Sequence, residues 1–114
     1  MESILISIKK LLGITAEYTQ FDADIIMHIN SVFMVLNQLG VGPEECFRIE
    51  DDLPVWNDFI PNNIDLDATK SYMHLKVKLL FDPPASATVV EAIKQQIIEL
   101  EWRLNVQAEK SKEV

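Results

Sequence analysis

The segment from Asp22 to Gly40 constrains the fold most, because its apolar residues recur every three or four positions and no acidic or basic residue follows Asp24. Its core-facing positions are Ile25, Ile29, Val32, Phe33, Leu36 and Leu39. At about 100° per residue, Met27 and Met34 fall on the opposite side of the helix. A surface helix usually carries charges on its outer face. The pattern therefore predicts a helix that is covered on both sides.

Three further segments have the same helical spacing. Residues 1–12 predict a short amphipathic helix, which Gly13 ends. Residues 65–82 predict a third helix, which stops at Pro83-Pro84 because the residue before a proline avoids the α region. A fourth helix follows Thr88, and the polar residues 107–114 predict a flexible tail.

Capping residues and the order of apolar residues give the expected helix starts and faces. Asp22 can cap the second helix, with Phe21 packing on Ile26, and Thr88 can form a capping box with Glu91. The core stripe of the third helix is Ala68, Tyr72, Leu75 and Leu79, widened by Met73 and Leu80, while Asp67, Lys70, His74 and Lys78 face away. The core stripe of the fourth helix is Val90, Ile93, Ile97, Leu100 and Leu104.

A long connection, residues 41–64, separates the second and third helices. It is rich in aromatic and acidic residues, of which we single out Glu44, Glu45, Glu50, Asp51 and Asp52. Residues 46–49 alternate weakly and could form a short strand, and residues 54–59 could form one helical turn. We expect one all-α domain over residues 1–114: a small bundle of about four helices with a long acidic loop.

Composition limits the function. The 114 residues contain 10 Lys and Arg against 18 Asp and Glu, which gives a net charge of −8. Proteins that grip nucleic acid need clustered positive charge, so specific binding to DNA or RNA is not expected. The single cysteine, Cys46, excludes an internal disulfide and is expected to be a buried or half-buried thiol. No run is apolar enough for a membrane span. The apolar N-terminal stretch does not predict a signal peptide, because its lysines follow it and no small-residue cleavage site comes after it, so we expect synthesis in a cytoplasm.

The sequence lacks the motifs of an enzyme or a metal site. There is no Gly-rich phosphate loop, no His-Glu zinc motif and no nucleophile elbow. His28 and His74 lie on different helices, and residues 50–52 lack the alternate spacing of a calcium loop. We therefore expect no catalytic residue, no bound metal and no cofactor.

The informative feature is a second apolar stripe on two helices. Met27 and Met34 lie opposite one complete core stripe, and Ile98, Trp102 and Val106 lie opposite another. Exposed contiguous apolar surface usually marks an interface, where Trp and Met are favoured. These residues are therefore predicted to contact other subunits or a partner. The alternative is burial inside the same chain, with Trp102 packed against Leu5 or Leu12 of the N-terminal helix.

Four stretches are distinctive: residues 21–30 (FDADIIMHIN), 38–43 (QLGVGP), 76–84 (KVKLLFDPP) and 99–105 (ELEWRLN). They resemble small head–tail connector proteins, also called adaptor or head completion proteins. This family comes from long-tailed bacteriophages and prophages, chiefly of Gram-positive bacteria. The resemblance covers most of the chain, and its motifs are structural rather than catalytic.

The resemblance implies a role in the neck of the virion, after synthesis in the host bacterial cytoplasm. Such proteins form a homo-oligomeric ring, commonly of twelve copies, that docks below the portal protein of a filled capsid. The ring receives a stopper or tail completion protein and lets DNA pass through its lumen without specific binding. The acidic residues of the loop could line that lumen and repel phosphates. The alternative from the residues alone is a small cytoplasmic protein-binding or regulatory module.

Overall fold

The computed structural model describes residues 2–60 and 66–112. Within them the chain forms five helices: α1 (Ile4–Leu11), α2 (Asp22–Gln38), α3 (Trp56–Phe59), α4 (Leu66–Phe81) and α5 (Ala87–Lys112). The described residues contain no β-strand, and their one isolated bridge pairs Ser3 with Val55. The all-α prediction is therefore confirmed, and the helix beyond the four expected is α3, a single turn within residues 54–59, where one turn was considered. The expected start of the third helix, Asp65, lies outside the described residues.

Helix α1 is short, and its packing on the rest of the chain stabilises it. Ser3 caps it by accepting a hydrogen bond from the Ile6 amide at 3.3 Å. Gly13, with φ of +83°, ends it and allows the Ile14 amide to donate to the Lys9 carbonyl at 2.8 Å. Lys9 itself is 1% exposed, and its ammonium binds the loop that follows. An isolated eight-residue helix would not be stable in water, so these contacts hold it in place.

Helix α4 occupies the middle of the bundle. It packs against α2 on one side and α5 on the other, and it also contacts α1. The core consists mainly of residues from α1, α2 and α4: Ile4, Leu5, Ile8, Ile25, Ile29, Val32, Phe33, Leu36, Tyr72, Met73 and Val77. The Cα extents are 43 × 35 × 19 Å, so the molecule is only about two helices thick. A plate this thin leaves one side of α2 and of α5 uncovered.

The segment after α2 has a different structure from the short strand considered at residues 46–49. It runs back along α2 without a strand partner, and the side chain of Asn30 makes the backbone hydrogen bonds that a neighbouring strand would make. The Ile49 amide donates to Asn30 Oδ1 at 2.8 Å, and Asn30 Nδ2 donates to the Ile49 carbonyl at 2.9 Å. Both backbone groups of Ile49 are therefore satisfied by one side chain, which buries the Ile49 side chain in the core.

Both predicted N-caps are wrong. Phe21 takes the N-cap position of α2, and the carboxylate of Asp22, now inside the helix, pairs with Lys9 instead. Ser86 caps α5 by accepting from the Val89 amide at 3.3 Å, so Thr88 lies within the helix. At the start of α2 a tertiary ion pair outweighed the capping preference of Asp22, and at the start of α5 the hydroxyl of Ser86 was better placed than that of Thr88.

Helix α5 extends as far as Lys112, so the segment expected to be a flexible tail, residues 107–114, is helical over its described part. Its flexibility stays a prediction. Asn105 Nδ2 donates to the Leu39 carbonyl at 3.2 Å and links this end of α5 to the end of α2. Residues 113 and 114 lie outside the described residues.

The faces of α4 differ from the predicted stripe at four residues. Thr69 and Val77 are buried, whereas Leu80, predicted to be core, is exposed. His74, predicted to face away, is half-buried and hydrogen-bonds to the backbone of Leu11. Burial lowers the pKa of His74 below its usual value, and the charge of Lys78 lowers it further. The His74 contact shows that α1 packs on a face of α4 that the periodicity alone leaves open.

Gly42 and Gly13 form a matched pair for a stability test. Both have φ near +90°, but a Cβ on Gly42 would lie 2.8 Å from Phe59 Cζ, while a Cβ on Gly13 meets nothing within 4 Å. Phe59 belongs to a ring cluster with Phe33 and Phe47. We expect Gly42→Ala to lower the free energy of unfolding by about 1–3 kcal/mol more than Gly13→Ala, because it adds overpacking to the shared backbone strain. Equal losses in urea unfolding would show that the clash relaxes freely.

Candidate assembly surfaces

The outer face of α5 carries the first candidate surface. Ile97 and Leu104 are buried against the bundle, whereas Trp102 is 66% exposed and Ile98 is 58% exposed. Val106, assigned to the same stripe, is only half-buried. We call Ile98 and Trp102 the α5 surface. A Trp exposed to this extent on a helix whose other face is packed has the features of a protein-contact residue.

The alternative placement of Trp102 under the N-terminal helix is wrong. Leu5 is 1% exposed and packs in the core with α2 and α4, while Trp102 lies on the far side of α5. The described residues therefore leave the indole ring largely open to solvent.

The outer face of α2 carries the second candidate surface. Met27 and Met34 are 58% and 59% exposed. Both side chains therefore lie opposite the core stripe of α2, as the periodicity predicted. They border a groove of about 550 Å³ between α2 and the segment that runs along it. Its lining residues are Ala23, Ile26, Met27, Asn30, Ser31, Met34, Cys46, Phe47 and Arg48. We call this groove the α2 surface. Flexible Met side chains suit a surface that adapts to a partner.

Asn30 and Asn37 explain why α2 lacks charges beyond its first turn. Asn30 binds the backbone of Ile49 in both directions, and Asn37 Nδ2 donates to the carbonyls of Pro43 and Glu44 at 3.2 and 3.1 Å. These neutral side chains hold the returning segment on α2. Sequence reasoning noted the charge-free face but missed this role, because the partners are backbone groups far along the chain.

The five acidic residues singled out in the connection do not form one patch. Glu44 and Glu45 lie near the end of α2, next to Asn37, whereas Glu50, Asp51 and Asp52 lie near its start, beside Thr19 and Asp22. All five are exposed. A 17-residue helix is about 25 Å long, so the two groups are well separated.

A third surface is the groove between α4 and α5, which has a volume of about 360 Å³. Apolar residues form its floor and two lysines form its rim; the lining residues are Lys76, Leu79, Leu80, Lys94, Ile97, Ile98 and Glu101. We call it the α4/α5 groove. Among the described residues, neither Lys76 nor Lys94 has a carboxylate within ion-pair distance.

Glu101, at one end of the α4/α5 groove, is already engaged. The Tyr72 hydroxyl donates to Glu101 Oε2 at 2.7 Å and links α4 to α5. Burial raises the pKa of the Tyr72 hydroxyl well above its usual value, and the hydrogen bond and charge of Glu101 raise it further. Tyr72 therefore stays a proton donor at any physiological pH, and it holds the Glu101 carboxylate against the bundle.

The described residues contain no group of three or more His, Cys, Asp and Glu side chains that could hold a metal ion. Cys46 is exposed, which corrects the expected buried or half-buried thiol; the segment turns its side chain outward next to Phe47. His28 is half-buried, and its ring lies 6.5 Å from that of Phe81.

The flat helical plate exposes two unlike apolar surfaces, and exposed apolar surface usually marks contact with other proteins. Residues 4–111 match the family of phage connector proteins, which is nearly the whole chain. The chain belongs to this family. The resemblance noted on residues 21–30, 38–43, 76–84 and 99–105 is thereby confirmed. No curated protein and no solved structure matches the chain.

Membership makes this connector protein a structural component of the phage particle, located in the virion neck, that interacts with other head or tail proteins. None of the helices in residues 2–60 and 66–112 combines the length and the apolar character needed to cross a bilayer.

Proposed function

We propose that this connector protein forms a ring in which each subunit contacts its two neighbours through different surfaces. A head-to-tail interface joins two unlike patches, and it closes into a ring when the rotation between subunits fits. The carrying observation is that Met27 and Met34 point away from α4 on one side, whereas Ile98 and Trp102 point away from it on the other. Val106 would lie at the margin of the second contact.

The neighbours of the ring follow from the resemblance to head–tail connectors. We propose about twelve copies, docked on the portal protein and followed by a stopper or tail completion protein, with DNA passing through the lumen. This places the chain between the filled capsid and the tail. An enzymatic step has no role in this function, which needs only shape, rigidity and contact surfaces.

Negative charge suits the wall of a DNA channel, because carboxylates repel phosphates over about 8 Å at physiological salt. Glu44 and Glu45 are our candidates for the wall, since they are exposed and make no ion pair among the described residues. Glu50, Asp51 and Asp52 flank the exposed apolar side chain of Leu53. That combination suits a protein contact better than a surface that faces phosphates.

A small binding or regulatory module remains the second candidate, because either apolar surface could hold a single partner. The two functions differ in the number of surfaces that are used at once. A ring needs both the α2 surface and the α5 surface on every subunit. A module that binds one partner needs only one of them, so only substitutions on that surface would abolish its function.

We expect the isolated protein to be monomeric or weakly associated, and to form its ring only on the portal. Narrow apolar surfaces give weak pairwise contacts, which become effective when many copies are held together on a template. Light scattering of the purified protein at low micromolar concentration measures the first part. Electron microscopy after incubation with the portal protein of the same phage measures the second.

A stable dodecamer in the absence of portal would contradict templated assembly. Portals that stay bare at every concentration of added connector protein would defeat the proposed ring itself.

A further inference from the structure

The α4/α5 groove has positive charge that the chain leaves unmatched. In a protein with a net charge of −8, Lys76 and Lys94 stand on either side of an apolar floor without a carboxylate partner among the described residues. Lys76 lies over the Tyr72 ring, 5.9 Å from its centroid, which holds it at the rim. An occupant of this groove should therefore be both apolar and acidic.

The chain itself carries a segment with that chemistry. Leu53 is 78% exposed, more than any other large apolar residue in the described part of the chain, and it directly follows Glu50, Asp51 and Asp52. The Leu53 amide donates to Asp51 Oδ1 at 2.9 Å, which shapes the tip into a turn. The tip therefore presents a leucine side chain within a cluster of carboxylates.

The tip and the groove lie at the same end of the bundle but on different edges. Phe81, at the end of α4, makes an edge-to-face contact with Phe21, with the ring centroids 5.4 Å apart, so the Leu80 end of the groove is level with the start of α2. The acidic tip also lies at the start of α2, beside Thr19 and Asp22. No residue lines both regions, and α4 packs between α2 and α5 at this end of the bundle. The tip of one copy can thus meet the groove of a second copy that lies beside it at the same height along the bundle axis.

We propose that the acidic tip, residues 50–53, docks into the α4/α5 groove of a second copy of this chain. Leu53 lies on the apolar floor, and the carboxylates of Glu50 and Asp52 pair with Lys76 and Lys94. The contact rests on the proposed ring and deepens it. It fixes the direction of the head-to-tail interface, because the α2 edge of one subunit meets the α4/α5 edge of the next.

Charge reversal on each side tests the contact. Glu50→Lys with Asp52→Lys makes the tip basic and leaves the Asp51 turn intact, and Lys76→Glu with Lys94→Glu makes the groove acidic. Each variant alone places like charges together, so its assembly on the portal should weaken by at least about tenfold. Circular dichroism and melting temperature check that each variant is folded, and Lys94→Glu alone serves if the double groove variant is not.

Mixing the two variants gives the sharper result. A basic tip then meets an acidic groove, and an acidic tip meets a basic groove, so an alternating ring should form with wild-type yield. The matched controls carry the same charge changes elsewhere: Glu17→Lys with Glu109→Lys, and Lys10→Glu with Lys110→Glu. These controls should assemble like wild type. Restoration by mixing is the outcome that supports the contact.

Zero-length carbodiimide cross-linking locates the contact directly. In a mixture of ¹⁴N- and ¹⁵N-labelled wild-type protein on the portal, we expect mixed-isotope links between residues 50–52 and Lys76 or Lys94. If wild-type rings form but these links are absent, or mixing does not restore assembly, the contact is wrong and the ring stands. Loss of portal binding that mixing cannot restore would assign the groove to the portal protein. If wild-type rings do not form, the proposed function itself fails.

Discussion

Trp102→Ala is expected to leave the monomer folded and to stop its incorporation into particles. The indole is 66% exposed, so its removal leaves no cavity in the core. A Trp at the centre of an interface often contributes at least about 2 kcal/mol to binding, and every subunit of the ring would lose that contribution. Heads carrying the variant should fill and then leak DNA or fail to join tails.

Ile97→Ala is the matched comparison for this result, because Ile97 lies on the same helix but is buried. Its truncation should cost about 2–5 kcal/mol of stability and lower the melting temperature by roughly 10 °C or more. Trp102→Ala should melt within about 2 °C of wild type, since surface substitutions usually change stability by less than about 0.5 kcal/mol. An early-melting Trp102→Ala, or one that enters particles normally, would refute the role of Trp102 in assembly.

Lys9→Met is expected to have the largest effect on stability of any single charge removal. Lys9 Nζ lies 2.8 Å from Asp22 Oδ1 and donates to the carbonyls of Tyr18 and Ala16 at 2.7 and 3.2 Å. All three acceptors lose their partner in the variant. Breaking a buried ion pair from one side costs about 3–5 kcal/mol, and partial exposure of Asp22 reduces this to about 2–4 kcal/mol.

Lys10→Met provides the control, because Lys10 is the adjacent residue on the same helix and is exposed. Its free energy of unfolding in urea should stay within about 0.5 kcal/mol of wild type. Adding Asp22→Asn to Lys9→Met should recover part of the loss, since the unpaired carboxylate is then neutral. Equal stabilities of the Lys9 and Lys10 variants would show that the buried ammonium contributes nothing net.

The ion pair shows why one helix start was predicted incorrectly. Asp22 precedes an apolar run and has the sequence features of an N-cap, but Lys9 lies 13 positions earlier and approaches it only after α1 has packed. The gain from neutralising a buried ammonium exceeds the gain from one cap hydrogen bond. The start of α5 was predicted incorrectly for a local reason. Ser86 and Thr88 both carry a hydroxyl near this start, and only Ser86 takes the cap position.

The periodicity of the sequence by itself determined the long helices, the core face of α2 and the outward positions of Met27, Met34, Ile98 and Trp102. This information is local, because a helix repeats every 3.6 residues whatever it packs on. Only the tertiary structure decided how residues 41–60 return along α2, that Asn30 holds them, and that the acidic residues separate into two groups. Those results depend on contacts between residues far apart in the chain, whose free energies a sequence pattern does not contain.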